Sequence, residues 1–269
     1  MDYTTFLVNI NQHVATVSFN RPDKANSISK VAWAEMKQIF EELDQNPEVR
    51  AVVLKGEGKH FCAGIDVSML MEMSQSPGSC EGRKRELVRN MALYLQSCVN
   101  VIEYCRKPVL AAIHNGCIGA GVDIIAACDM RYATKDSYMV IKEIDMGMVA
   151  DLGTLQRLPK IIPDGIAREM AYTGRKVSGA EAASFGLVNR AFDSQEELYE
   201  EVHKIALHIA SKSPLSIRGT KEVLNFSRDH SVEDGLKYVA TWNAGMIISD
   251  DIMKAMQAYM MKSTAEFQN

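Results

Sequence analysis

Two segments of the chain share one order of elements: an apolar strand, a glycine-rich turn and a helix. The first runs from Lys55 to Leu70 and contains "GKHFCAGID", and the second runs from Pro108 to Ala127 and contains "NGCIGAGVD". Alternating strands and helices predict a mostly parallel sheet covered by helices. Sheets of this kind bind ligands beyond the carboxyl ends of their strands, where both turns lie. The sequence therefore predicts an α/β fold with a ligand site at these turns.

The elements around these two units divide the chain into an α/β part and a helical part. From about residue 165 onward, almost every segment has the periodicity of an amphipathic helix. We therefore expect an α/β core over residues 1–200 and a helical region suited to assembly over residues 201–269. Four smaller elements are predicted from strand, cap and turn patterns: a hairpin at residues 6–9 and 14–18, a helix capped by Ser29, a surface loop at residues 73–82, and a long helix over residues 83–104.

The composition fits a soluble globular protein. Hydrophobic residues make up 47% and charged residues 24% of the chain, and the net charge of −4 argues against a nucleic-acid surface. The apolar runs are shorter than the roughly 20 residues that a membrane-spanning helix needs. The six cysteines form no C-x-x-C pair, so we expect reduced, mostly buried thiols. Without a visible signal peptide, we expect a cytoplasmic protein, with a processed organellar form as the alternative.

Common nucleotide-binding and metal-binding motifs do not match the chain. The glycines of "GCIGAG" have the wrong order for the dinucleotide fingerprint, and no P-loop occurs. Histidines, cysteines and carboxylates do not have the spacing of metal ligands, so we predict no metal site. His114 precedes the second glycine turn, and we interpret it as a structural residue at the end of a strand.

Each glycine-rich turn opens a helix, which allows two interpretations of the glycines. The first N–H groups of a helix lack intrahelical acceptors and lie at the positive end of its dipole. Two such turns at one sheet edge could direct two N–H groups at a single oxygen. That is the geometry of an oxyanion hole, which stabilises the enolate of a thioester. The alternative is that the glycines only form tight turns.

Three isolated carboxylates follow the second turn. Asp123 ends "NGCIGAGVD", Glu143 lies in "VIKEIDMGM", and Asp151 lies in "VADLGTLQRLP". Acids in apolar surroundings hold their protons more tightly, which suits proton transfer near neutral pH. The alternative for each acid is a cap or an ion pair, and Asp151 in particular could cap a helix at residues 155–158.

Longer segments resemble the crotonase (enoyl-CoA hydratase/isomerase) superfamily. They are "HFCAGIDVSML", "KPVLAAIHNGCIGAGVDIIAACDMRYAT" and "LGTLQRLPKIIP", and the resemblance extends from "VSFNRPDKANSIS" to the helical C-terminus. The resemblance implies a spiral of ββα units with a C-terminal helical trimerisation region. It also implies acyl-CoA thioesters as substrates and a homotrimer, or a homohexamer made of two trimers.

The resemblance also assigns binding residues by motif position. The oxyanion N–H groups would be those of Ile65, after "CAG", and Ala120, the middle residue of "GAG". The second position is usually glycine, and alanine still donates an N–H there if its φ is negative. The residues implied to lie along the substrate and its CoA are Lys24, Ala25, Ala63, Gly64, Ile65, Asp66 and Ala120.

The three acids indicate the reaction. Hydratases of the superfamily typically carry glutamates at the positions of Asp123 and Glu143, and glycine at that of Asp151. Here the set is similar to that of the enzymes that isomerise 3,5-dienoyl-CoA to 2,4-dienoyl-CoA in fatty-acid β-oxidation. The resemblance implies that Asp151 takes the C2 proton and that Glu143 supplies the C6 proton. Asp123 would support Glu143.

Other functions remain open on the sequence. A hydratase or a Δ3-Δ2-enoyl-CoA isomerase would use the same scaffold, and a non-catalytic acyl-CoA-binding trimer belongs to a different class. Retained acids argue against the last, because binding alone needs none. We expect no cofactor beyond the substrate's own CoA, and neither a nucleic-acid nor a membrane partner.

Overall fold

A computed structural model of the chain describes residues 3–74 and 80–269. The described part is a mixed α/β structure with nine strands and eleven α-helices. The strands are β1 (Phe6–Asn11), β2 (Val14–Phe19), β3 (Ala51–Gly56), β4 (Val109–Ile113), β5 (Gly116–Ile118), β6 (Met130–Thr134), β7 (Tyr138–Val140), β8 (Val177–Ser178) and β9 (Arg190–Phe192).

The helices fill the connections between strands and most of the C-terminal third. They are α1 (Lys30–Gln45), α2 (Val67–Ser74), α3 (Glu81–Tyr104), α4 (Ala120–Ala127), α5 (Thr154–Arg157), α6 (Asp164–Thr173), α7 (Gly179–Ser184), α8 (Gln195–Ala210), α9 (Pro214–Arg228), α10 (Val232–Met246) and α11 (Asp250–Met261). The predicted cap of α1 is confirmed, because the Ser29 hydroxyl accepts a hydrogen bond from Ala32 N–H.

The main sheet has the order β1-β2-β3-β4-β6-β9. The predicted N-terminal hairpin is confirmed: β1 and β2 pair antiparallel, joined by Gln12 and His13 in the left-handed region with φ of 49° and 66°. All the other neighbours in this sheet pair parallel. The mostly parallel sheet expected from the repeated strand–turn–helix units is therefore present.

A second, smaller sheet has the order β5-β7-β8, and the sequence patterns did not predict it. β5 lies within "NGCIGAGVD" itself, between the strand and the helix of the second unit. Each of its three strands has only two or three residues, which is too short for an alternating pattern. For the same reason the expectation of an almost wholly helical chain beyond residue 165 missed β8 and β9.

The surface loop expected at residues 73–82 is shorter at both ends than predicted. α2 continues to Ser74, and α3 already begins at Glu81. Residues 75–79 lie outside the described residues. The predicted helix at residues 83–104 corresponds to α3.

The core has two layers, one on each face of the main sheet. Along β3 and β4, alternate residues belong to different clusters: Val52 and Leu54 pack with α1, α3 and α4, whereas Ala51 and Val53 pack with α8. The apolar runs "AVVLKG" and "VLAAI" are continuous because both faces of the sheet are buried. The five cysteines at positions 62, 98, 105, 117 and 128 are buried and free, as expected, and Cys80 is exposed.

The packing of α8 concerns the boundary that the sequence predicts near residue 200, between the α/β core and the helical region. This position falls inside α8, whose Leu198, Val202 and Ala206 are buried against the main sheet. α8 therefore packs as part of the α/β core, and the helices that follow it are α9, α10 and α11. The division into two regions stays a prediction.

Candidate active site

The two glycine-rich turns lie against each other. Ile118 N–H donates to Cys62 O at 2.9 Å, and Cys62 N–H donates to Gly116 O at 3.0 Å. Gly64 has a φ of 88°, and a Cβ atom placed on it would lie 2.8 Å from Ile118 O and 3.5 Å from Ala120 N. Only glycine fits this position, because any side chain would push the turns apart.

The backbone N–H of Ile65 faces away from Ile28, with which Ile65 forms a parallel bridge. Ile28 donates to Gly64 O at 2.8 Å and accepts from Asp66 N–H at 3.0 Å. In a parallel bridge of this kind, the N–H of the central residue, here Ile65, lies on the opposite side. Within residues 3–74 and 80–269, this N–H has no hydrogen-bond acceptor.

Ala120 supplies a second N–H beside the first turn. It is the first residue of α4, so its N–H has no intrahelical acceptor. Gly119, just before it, takes the left-handed conformation with a φ of 52°, whereas Ala120 does not have a positive φ. The alanine in place of the usual glycine therefore carries no backbone strain at this position.

Asp123 is buried on α4, and its two oxygens differ. Oδ1 accepts a hydrogen bond from Thr154 N–H at 2.7 Å, and Oδ2 is buried without a partner in the described structure. Burial first, and the neighbouring Glu143 carboxyl second, raise the pKa of Asp123 to about 7.

Glu143 lies beside Gly119 of the second turn. It begins a 3-10 helix, Glu143–Met146, and its Oε1 would be 3.3 Å from a Cβ atom on Gly119. Its Oε2 is buried and has no partner among the described residues. Burial, and then the Asp151 carboxyl, raise the pKa of Glu143 above its ordinary value.

Asp151 follows an exposed segment and is itself exposed in the single chain. Its carbonyl oxygen accepts a hydrogen bond from Gln96 Nε2 of α3 at 2.7 Å. Partial loss of solvent raises the pKa of its carboxyl. The alternative that Asp151 caps the following helix is wrong: Gly153 occupies the cap position of α5, and Asp123 accepts the Thr154 N–H.

The three acids therefore share one electrostatic environment next to the paired turns. The Glu143 and Asp151 carboxyls both raise the pKa of Asp123, and the Asp151 carboxyl raises the pKa of Glu143. Sequence patterns missed the two residues that hold this group together, Thr154 and Gln96. Thr154 contributes only its backbone N–H, which leaves no signal in the sequence, and Gln96 is one polar residue among many on a long helix.

Two of the segments assigned to CoA lie against each other at the first turn. Ala63 N–H donates to Ala25 O at 3.0 Å, which joins "RPDKANS" to "CAGID". Lys24 is exposed. Ala25 has a φ of 50° and ends the short 3-10 helix Pro22–Lys24. These positions are compatible with the assignment.

The Asp66 carboxylate is already engaged within the protein. Oδ2 accepts from both terminal nitrogens of Arg21 at 3.1 Å, and Oδ1 accepts from Ser68 N–H at the start of α2. Hydrogen bonds from Ser68 and the Arg21 guanidinium hold the pKa of Asp66 below its usual value, although partial burial opposes them. The carboxylate of Asp66 therefore has a structural role. The assignment of Asp66 to CoA binding stays a prediction for its backbone.

His114 has the structural environment expected from its position. Its Nε2 is 3.0 Å from Gly58 O, and its Nδ1 is 3.0 Å from the Tyr199 hydroxyl. Burial lowers its pKa. In residues 3–74 and 80–269, acidic, histidine and cysteine side chains form no group of three or more that could hold a metal ion. None of the helices in this part combines the length and apolar character needed to cross a membrane.

The chain belongs to the enoyl-CoA hydratase/isomerase family, whose family model matches residues 9–269. The resemblance drawn from the glycine-rich segments is thereby confirmed at the family level. Among solved structures, the enoyl-CoA hydratase of Bacillus anthracis is similar, with a TM-score of 0.90 and 30% identity over 98% of this chain and 99% of that chain. This similarity also confirms the predicted crotonase-type fold.

Two curated relatives are more similar in sequence. The peroxisomal Delta(3,5)-Delta(2,4)-dienoyl-CoA isomerase of Arabidopsis thaliana is 48% identical over 96% of this chain and 94% of its own length. The mitochondrial Delta(3,5)-Delta(2,4)-dienoyl-CoA isomerase of Rattus norvegicus is 43% identical over 95% of this chain and 79% of its own length.

Proposed function

We propose that this protein isomerises 3,5-dienoyl-CoA to 2,4-dienoyl-CoA. The observation that carries this proposal is the grouping of Glu143 and Asp151, two carboxyls with raised pKa values, beside the paired glycine turns. The names of the Arabidopsis and rat relatives support the same reaction. Family members act on acyl-CoA thioesters, and the enzyme class that these relatives share is an isomerase.

The proposed reaction begins with the removal of a proton from C2. Ionised Asp151 accepts this proton, and the electrons of the C2–H bond delocalise over the diene and onto the thioester oxygen. The N–H groups of Ile65 and Ala120 stabilise the oxygen as it gains charge. No cofactor beyond the substrate's CoA is needed, because the acyl chain itself carries the electrons.

The reaction ends with the return of a proton at C6. Protonated Glu143 donates it, the three conjugated bonds of the enolate shift, and the thioester carbonyl reforms with double bonds at C2 and C4. C2 and C6 are separated by four bonds, so one carboxyl cannot easily serve both. Asp123 lies buried beside Glu143, whose carboxyl raises the pKa of Asp123, and we assign Asp123 a supporting role next to Glu143.

The hydratase alternative uses the same turns but a different pair of acids. Its support is the similarity to the Bacillus anthracis hydratase, at a lower identity than that of the two isomerases. The observation against it is Asp151, a third acid that water addition does not require.

An assay on 3,5-octadienoyl-CoA tests the proposal. Formation of the extended 2,4-dienoyl thioester is followed by its ultraviolet absorbance, with crotonyl-CoA as the hydratase substrate. Asp151→Asn should abolish isomerisation, whereas Asp145→Asn should not, because Asp145 is an exposed acid that pairs with Lys142 at 2.6 Å. Water addition to crotonyl-CoA without dienoyl turnover would favour the hydratase. Acyl-CoA binding in calorimetry without any turnover would favour the non-catalytic trimer.

We also propose that the protein forms a homotrimer, or a homohexamer of two trimers. The support is a group of apolar side chains on and between α10 and α11 that are exposed in the single chain, among them Ile248, which is 93% exposed. Sedimentation analysis should give three or six times the mass of the chain, and Ile248→Asp should reduce it. A monomer in the wild type would contradict the proposal.

The same comparisons bear on where in the cell the protein acts. The names of the Arabidopsis and rat relatives place them in peroxisomes and mitochondria, which supports the organellar alternative over the cytoplasm. We propose that the protein acts in the compartment in which fatty acids are oxidised, which cell fractionation would test.

A further inference from the structure

Three polar residues lie along one face of α3 and point at the turn that carries Asp151. Gln96, Asn100 and Glu103 have the spacing i, i+4 and i+7, which places them on the same side of a helix. All three make hydrogen bonds to residues 151–157, more than fifty positions later in the chain.

Gln96 holds the backbone at the acid itself. Its Nε2 donates to Asp151 O at 2.7 Å. The bond does not involve the Asp151 carboxyl, which within the described residues bonds to its own backbone and has no side-chain partner. Gln96 therefore fixes the backbone position of Asp151 without contacting the oxygens of its carboxyl.

Arg157 holds the next two residues of the turn. Its Nη1 lies 3.4 Å from Leu152 O, and a Cβ atom on Gly153 would overlap the same nitrogen. The guanidinium thus covers the turn directly after Asp151. Gly153 has a φ of 125°, and the absence of a side chain is what allows this close approach.

The guanidinium is itself fixed by α3. Arg157 Nη2 donates to Glu103 Oε2 at 2.6 Å and to Asn100 Oδ1 at 2.7 Å, and Nε donates to Glu103 at 3.2 Å. Glu103 is buried and also pairs with Arg228. Hydrogen bonds from both arginines hold the pKa of Glu103 below its ordinary value against the effect of burial. Arg157 is therefore a rigid, charge-compensated support, which is the kind of group that can set the position of a neighbouring turn.

We propose that Gln96 and Arg157 are positioning residues that set the distance between the Asp151 carboxyl and C2 of the substrate. This inference rests on the proposed role of Asp151. Proton transfer depends steeply on such distances, so that a displacement of about 1 Å can cost on the order of a hundredfold in rate. The support acts on the acid at C2, because neither residue contacts Glu143 or Asp123 in the described structure.

Gln96→Met tests the inference, because methionine keeps the length of the side chain and removes the amide that donates to Asp151 O. The matched control is Gln156→Met: Gln156 is exposed on α5 in the same turn region, and its side chain makes no hydrogen bond in the described structure. We expect kcat on 3,5-octadienoyl-CoA to fall roughly tenfold for Gln96→Met, the loss expected from about one hydrogen bond. KM and the midpoint of thermal unfolding should stay near the wild-type values.

The kinetic isotope effect with substrate deuterated at C2 separates positioning from general support of the fold. A displaced Asp151 slows only the C2 step, so this isotope effect should increase in Gln96→Met and in Arg157→Lys, and not in Gln156→Met. Arg157→Lys keeps the charge but cannot span Glu103, Asn100 and the turn at once. A wild-type kcat and isotope effect in Gln96→Met, or a lower kcat with an unchanged isotope effect, would overturn the inference.

Asp151→Asn, measured in parallel, separates this inference from the proposed function. If Asp151→Asn is inactive and Gln96→Met behaves as the wild type, only the positioning role is wrong. If Asp151→Asn retains full isomerase activity, the proton-transfer pair of the proposed function is wrong, and the positioning role fails with it.

Discussion

Oδ1 of Asp123 accepts a hydrogen bond of 2.7 Å from Thr154 N–H and so joins α4 to the start of α5. The acid at the end of the second glycine turn thereby fixes a residue only three positions after Asp151. One carboxyl takes part in both the electrostatics of the site and the placement of the turn. The two roles can be separated by substitution, because asparagine keeps an acceptor oxygen and loses the charge.

Asp123→Ala should be less stable than Asp123→Asn by roughly 1–3 kcal/mol, the cost of leaving the buried Thr154 N–H without an acceptor. The comparison does not involve the charge, because neither variant can ionise. Urea unfolding at a fixed protein concentration measures the difference. Equal free energies of unfolding for the two variants would show that the hydrogen bond contributes nothing.

The stability of the wild type should depend on the ionisation of Asp123. Burial and Glu143 raise its pKa from 3.8 to about 7, so the folded state binds more protons than the unfolded state between these values. The free energy of unfolding should therefore fall as the pH rises from about 4 to about 7, by up to about 4 kcal/mol from this group.

Asp123→Asn should lack this loss, so its stability relative to the wild type should be greater at pH 8 than at pH 5. Urea unfolding at both pH values tests this, with exposed Asp145→Asn as the control. A constant difference between Asp123→Asn and the wild type across this range would contradict the raised pKa.

The sequence indicated which turns and acids lie close together better than which residues support them. Glycines, isolated acids and a parallel sheet leave strong local patterns, and these patterns predicted the two turns and the acids that lie beside them in the structure. Ile65 and Ala120 were assigned from the family resemblance, and the catalytic roles of all these residues stay predictions. Gln96 and the strands of the small sheet had no such pattern. A single hydrogen bond to a distant backbone, or a strand of two or three residues, depends on tertiary contacts that no local window contains.

The pH dependence of kcat/KM should be bell-shaped. The proposed reaction requires ionised Asp151 and protonated Glu143 together, and burial raises the pKa of both above their ordinary values. Activity should fall at low pH as Asp151 is protonated, and at high pH as Glu143 ionises. Measurements of kcat/KM across pH 5–9 test this, and a flat profile would contradict the assignment. Because the carboxyls are coupled, the two midpoints belong to the group of acids as a whole.

Gly64→Ala should lower kcat on the order of a hundredfold or more, because the new Cβ atom would press on Ile118 O and move Ile65 N–H away from Ala120 N–H. Gly186→Ala is a matched control: its φ of 85° is close to the 88° of Gly64, but nothing lies within 4 Å of an added Cβ atom. Both variants should lose about 1–2 kcal/mol of stability from the left-handed backbone. Only Gly64→Ala should lose activity, and similar kcat values for the two would argue against the oxyanion pair.

Gly153→Ala should lower kcat more than it changes KM. The added methyl group would overlap the Arg157 guanidinium, which covers the turn. Arg157 cannot move aside freely, since Glu103 and Asn100 hold it, so the turn must shift and carry Asp151 with it. Gly147→Ala is the control, because Gly147 also has a positive φ, of 70°, but has open space around it. Steady-state kinetics and unfolding of both variants provide the measurement. The contradicting outcome is an equal loss of kcat and an equal loss of stability in Gly147→Ala and Gly153→Ala. Backbone strain alone would then explain both variants, and the contact between Gly153 and Arg157 would have no part in catalysis.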